Sequence, residues 1–89
     1  MNTTIVNIRN EKCDVYCGRP TIFSNPYLIG RDGTRDEVCD KYIEYFNYKI
    51  QNPEFRKAVM LLRGKRLGCW CVPKRCHVQT ILEYIENET

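Results

Sequence analysis

The chain has 89 residues, of which 43% are hydrophobic and 28% charged, with a formal net charge of +3. That balance belongs to a globular chain rather than a disordered one, and the length allows one core, so residues 1–89 are read as a single domain. No apolar run approaches the ~18 residues of a membrane span, and the opening MNTTIVNIRN lacks the basic-then-apolar pattern of a secretory signal. The expected setting is cytoplasmic.

In chain order, TTIVNIR and KCDVYCG read as two short strands; in the second, Cys13, Val15 and Cys17 alternate with Asp14 and Tyr16. The connection RPTIFSNPYLIGRDGT follows, with two prolines and an Asp-Gly turn signal. A loop of that length in so small a domain points to function. Thr34 and Glu37 have the spacing of a capping box, and Val38, Cys39, Tyr42, Ile43, Phe46 and Ile50 recur behind them at helical spacing. Tyr42, Tyr45 and Tyr84 fall at spacings expected of the core margin. Asn52 followed by Pro53 starts a second helix, whose stripe is Phe55, Ala58, Val59 and Leu62 and which Gly64 ends. KRLGCWC returns to alternation, with Leu67, Cys69 and Cys71 on one face. After Pro73 a last helix turns Val78, Ile81, Leu82 and Ile85 inward. The order β-β-α-α-β-α describes a small α/β domain of about three strands and three helices.

Six cysteines in an intracellular chain argue for reduced thiols rather than a disulfide framework. Three of them stand with the one histidine in GCWCVPKRCHVQ. Cys71 then lies at a strand's end, and Cys76 and His77 at the start of the next helix, where open α/β sheets place ligands. Three readings of this cluster stay open. Cys69, Cys71, Cys76 and His77 have the number and softness of ligands for a structural zinc, although C-x-C-x4-C-H is not a common zinc spacing. Alternatively, Cys71 or Cys76 is a nucleophilic thiolate with His77 as its base. In the third reading they are reduced, partly buried cysteines beside a capping histidine. Cys13, Cys17 and Cys39 are expected to be structural and to share no site with the others.

The segments DVYCGR, SNPYLIG, TRDEV, LRGKRLGCWC and CH together resemble the small phage and bacterial family catalogued as domain of unknown function 4326. Its pattern maps onto Gly18, Arg19, Asn25, Pro26, Arg35, Leu62, Gly64, Cys69, Trp70, Cys71, Pro73, Cys76 and His77. Two positions depart from it: Ser24 and Val78 each stand where the family usually has glycine. A bulkier residue after His77 is expected to narrow a pocket at the helix start.

Arg19 and Asn25 bound the long loop and Arg35 begins the first helix. Guanidinium groups read phosphate through paired hydrogen bonds, and an amide offers one donor and one acceptor. If strands two and three are neighbours, Arg19, Asn25, Arg35, Cys71 and His77 meet at one edge and form a ligand site. Seven Lys and Arg residues without an acid lie between Phe55 and Cys76: Arg56, Lys57, Arg63, Lys65, Arg66, Lys74 and Arg75. With Trp70 they suit contact with a nucleic-acid backbone. The function read from these features is a non-catalytic module that holds a nucleotide or nucleic acid. It is zinc-stabilised on the first reading of the cluster and, in a phage, set against host nucleotide signalling. The alternatives are a cysteine-dependent enzyme on a nucleotide-like substrate, and a protein-interaction factor with a structural Cys/His site.

Overall fold

The computed structural model describes residues 2–88. Its elements follow the order β-β-α-α-β-α: β1 (Thr4–Asn7), β2 (Val15–Tyr16), α1 (Arg35–Lys49), α2 (Pro53–Met60), β3 (Arg66–Cys69) and α3 (Val78–Asn87). The three strands form one parallel sheet in the order β1-β3-β2. All C-terminal strand ends therefore meet at one edge, with β2 and β3 as neighbours.

The pleat sorts the sheet residues by face. Ile5 and Val15 flank Leu67 in register, and all three pack into the helix-side core with Phe46, Val59 and Ile81. On the other face Val6 and Tyr16 flank Gly68. No helix is needed there, because residues 8–13 cross back over the sheet. A Cβ at Gly68 would lie 2.6 Å from Cys13 Sγ and 2.7 Å from Ile8 Cγ2, so the crossing depends on glycine.

Helix starts follow their caps. Thr34 Oγ1 accepts from Glu37 N at 3.2 Å while Glu37 Oε1 accepts from Thr34 N at 2.9 Å, the complete capping box. Asn52 Oδ1 accepts from Glu54 N and Phe55 N ahead of Pro53. Helix α2 stops at Met60, and a turn through Gly64, whose φ is 81°, leads into β3.

Several expectations need correction. The second strand holds only Val15 and Tyr16, so the period-two pattern does not reach Cys13, which sits against Gly68 on the outer face. Tyr42 is fully buried in the core, its hydroxyl donating to the Phe23 carbonyl at 2.9 Å. Ile43, by contrast, is exposed. Leu82 is only half-buried, while Val78, Ile81 and Ile85 point inward. β3 ends at Cys69, which leaves Cys71 in the turn closed by Lys74 N donating to Cys71 O at 2.8 Å. Among the described residues, no helix is long and apolar enough to cross a membrane.

Candidate functional site

The long loop after β2, the start of α1 and the turn after β3 surround a cavity of about 450 Å³ at the C-terminal edge of the sheet. This is the edge where parallel α/β sheets hold ligands, in a volume suited to a nucleotide-sized molecule. Arg19, Asn25, Arg35, Cys71 and His77 all line it. The lining includes three arginines (Arg19, Arg35 and Arg75) and no aspartate or glutamate. Arg75 is tied outward to Asp36 and Asp40, the latter at 2.7 Å. Arg19 and Arg35 make only long bonds to carbonyls, to Asn25 O at 3.4 Å and Arg75 O at 3.3 Å. Two guanidinium groups thus face the cavity without carboxylate partners among the described residues.

Asn25 has a different part. Its Nδ2 donates to the Val38 carbonyl at 3.0 Å, its Oδ1 accepts from Tyr27 N at 2.9 Å, and the residue is buried. It fastens the loop to α1 and so positions its neighbours.

Aromatic rings also belong to the lining of the cavity. Tyr16, Tyr27 and Trp70 line it, and Trp70 Nε1 donates to Tyr16 Oη at 3.1 Å. Asn7 steadies the Trp70 segment, donating through Nδ2 to the carbonyls of Trp70 (3.3 Å) and Val72 (2.8 Å). Gly18 makes room for the Tyr16 ring, since a Cβ there would stand 2.3 Å from Tyr16 Oη. Trp70 itself is 51% exposed. Neither tyrosine stands out in the sequence as a ligand group. The available signal was Gly68, which places Tyr16 and Trp70 on the same outer face.

The thiols need separate treatment. Cys69 and Cys76 are buried neighbours. Hydrogen bonding with the neighbouring Cys69 thiol, and burial after it, favour the protonated form of Cys76, so the Cys76 pKa is raised. Cys69 is lowered to about 6 by that hydrogen bond, against the opposing effect of burial, with help from the N–H groups of Val72 and Cys71. Burial pushes Cys17 up to about 12. Cys39 is the exception to its expected role: it lines the same cavity as Cys69, Cys71 and Cys76, its thiol 3.9 Å from the Arg75 carbonyl. Helical spacing from Thr34 already pointed it inward, but where the loop would fold was not readable.

His77 is held on several sides. Its Nε2 lies 2.9 Å from the Cys17 carbonyl, which can only accept, so that nitrogen carries the proton. Its Nδ1 faces the Cys76 sulfur at 3.7 Å, and its ring meets Tyr42 edge-on at 4.9 Å. Burial keeps it neutral by lowering its pKa, with Arg19 acting in the same direction. Helix α3 receives no side-chain cap from His77. Val78 is buried in the core and does not line the cavity, so the expected narrowing at the helix start is absent.

These contacts decide what the cluster can do. Among the described residues, no group of three or more Cys, His, Asp or Glu side chains is arranged to hold a metal ion. His77 turns its Nε2 to the Cys17 carbonyl, so that nitrogen is engaged away from the thiols. For nucleophilic chemistry, the thiol beside His77 is the buried Cys76 rather than the more accessible Cys71. Three members of the basic run have partners within the chain. Arg66 pairs with Asp14, Arg75 with Asp36 and Asp40, and Arg56 donates to the carbonyls of Ile50 and Gln51.

A parallel three-stranded α/β domain with an arginine-lined cavity at its strand ends is the class this geometry defines. The chain belongs to the family described as domain of unknown function DUF4326, which it matches over residues 3–87. It is 35% identical over 85 residues to an uncharacterized 12.4 kDa protein from the nrdA-td intergenic region of Enterobacteria phage T4. That match covers 93% of this chain and 77% of the relative. It is also 31% identical over 71 residues to the uncharacterized protein R718 of Acanthamoeba polyphaga mimivirus, covering 68% of this chain and 52% of that one. No solved structure matches it.

Proposed function

We propose that the protein is a non-catalytic module that binds a nucleotide in the cavity at the sheet edge, with the phosphate on Arg19 and Arg35 and the base among the aromatic residues of the lining. The observation that carries this reading is the lining: two arginines without carboxylate partners, no acidic residue, and the rings of Tyr16, Tyr27 and Trp70. An anion gains charged hydrogen bonds there without displacing an existing ion pair, and an aromatic base gains stacking surface. The burial of Cys76 and the engagement of His77 favour holding a ligand over turning it over. In a phage, a module that holds a signalling nucleotide without consuming it lowers the free concentration available to the host. A zinc ion is no part of this reading.

The test is calorimetric titration with a panel of mononucleotides, comparing the natural chain with Arg19→Ala. Arg19 is exposed and makes one long hydrogen bond, so its loss should leave the melting temperature almost unchanged. Affinity should fall by about 1.5–3 kcal/mol, the scale of a lost charged hydrogen bond. A large loss of stability, with no nucleotide bound by the natural chain, would make Arg19 structural and favour the interaction-factor reading.

A further inference from the structure

A second concavity, of about 520 Å³, lies on the outer face of the sheet and is lined by the crossing segment 8–13 and by Tyr16. Tyr16 also lines the first cavity, so the two concavities adjoin at Tyr16, whose hydroxyl joins it to Trp70 of the first cavity as one aromatic wall. On that wall sits a cation. The Arg9 guanidinium lies over the Trp70 ring, 5.4 Å from its centroid, with no carboxylate partner among the described residues. Within the second chamber Arg9 and Lys12 face one acid, Glu11.

From this arrangement we infer that the site accepts two nucleotide units joined by a phosphodiester, one in each chamber, with the linking phosphate passing over the Tyr16–Trp70 wall beside Arg9. The inference rests on the nucleotide reading of the first cavity and extends it from a mononucleotide to a dinucleotide, either free or within a single strand. Three features support it. The first cavity has room for one nucleotide rather than two. A guanidinium held by a ring and not by an acid keeps its hydrogen-bond donors available for phosphate. An aromatic wall between two chambers offers stacking surface where successive bases of a strand would separate.

Trp70 is the chain's one tryptophan, so its emission reports directly on the wall. Mononucleotides, the matching 5′-phosphorylated dinucleotides and an eight-nucleotide single strand would be titrated against the natural chain, Arg9→Ala and Arg9→Lys. The dinucleotide should bind at least about tenfold more tightly than the mononucleotide, the least expected when a second unit binds within the same molecule. Arg9→Ala should remove that increment and leave mononucleotide affinity within about twofold, while Arg9→Lys keeps part of it. An octamer that matches the dinucleotide identifies a strand as the source; one that binds more weakly identifies a free dinucleotide. Equal affinity for one and two units, or equal weakening of both by Arg9→Ala, overturns the two-chamber inference while leaving the mononucleotide reading intact. Absence of binding by either overturns both.

Discussion

Replacing Asn25 by alanine separates a structural role from a ligand-reading one. The side chain is buried and both ends of its amide are in use, toward Val38 O and from Tyr27 N. Alanine leaves the Tyr27 N–H without its acceptor, at a cost of about 1–3 kcal/mol, and removes the link to α1, worth about another 1 kcal/mol. Val38 keeps its place in the helical ladder, so its carbonyl is not orphaned. A total near 2–4 kcal/mol corresponds to a fall of roughly 10–30 °C in melting temperature for a domain of this size. Circular dichroism melts measure this, and titration with a mononucleotide at low temperature, where the variant is still folded, measures the site. Binding should persist within a few-fold. Asn25→Asp should restore part of the stability by keeping the acceptor for Tyr27 N, although it faces the Val38 carbonyl with a charge. A variant with an unchanged melting temperature and no binding would refute the reasoning and make Asn25 a ligand contact.

Gly68→Ala should destabilise the fold by about 1–3 kcal/mol in urea denaturation, because the new methyl meets Cys13 and Ile8 of the crossing segment; an unchanged midpoint would contradict the crossing. His77 has a lowered pKa in the folded protein, so the unfolded chain binds its proton more readily. Its contribution is complete above the ordinary value of 6.5 and is lost as the pH falls below it, so the urea midpoint should drop between pH 7 and pH 5, and this slope should be reduced in His77→Gln. Iodoacetamide followed by peptide mass mapping should label the half-buried Cys13 and Cys71 before Cys69, since burial outweighs thiolate character at Cys69. Faster labelling of Cys69 would show that the pair opens readily.

The order of elements was legible because each has a local cause. Thr34 with Glu37, Asn52 with Pro53, and the alternation around Leu67 announce themselves within a few residues. The meeting of Arg19, Arg35, Cys71 and His77 was legible at one remove, as a consequence of placing β2 beside β3. What stayed hidden depended on long-range packing. The crossing of residues 8–13 takes Cys13 off the helix-side face, and nothing near Cys13 records that Gly68 receives it. The direction of His77 is set by the Cys17 carbonyl, which lies 60 residues away. Among the described residues, metal-type side chains that are close in sequence are not grouped in threes to hold an ion, and His77 Nε2 faces the Cys17 carbonyl instead.

The central position of β3 has a consequence for how the chain acquires its structure. Both outer strands pair with β3 and not with each other, and Thr4 lies beside Arg66, about sixty residues further along. No strand pairing is available to a nascent chain until residues 66–69 have left the ribosome. Until then the growing polypeptide has its capped helices to form and no sheet to place them on. Closing so long a loop before any strand contact is gained slows the search, as it does for topologies of high contact order. Val6 and the aromatic residues of α1 have no sheet to pack on through most of synthesis, and the final quarter of the chain, which supplies Leu67 and α3, completes the core late.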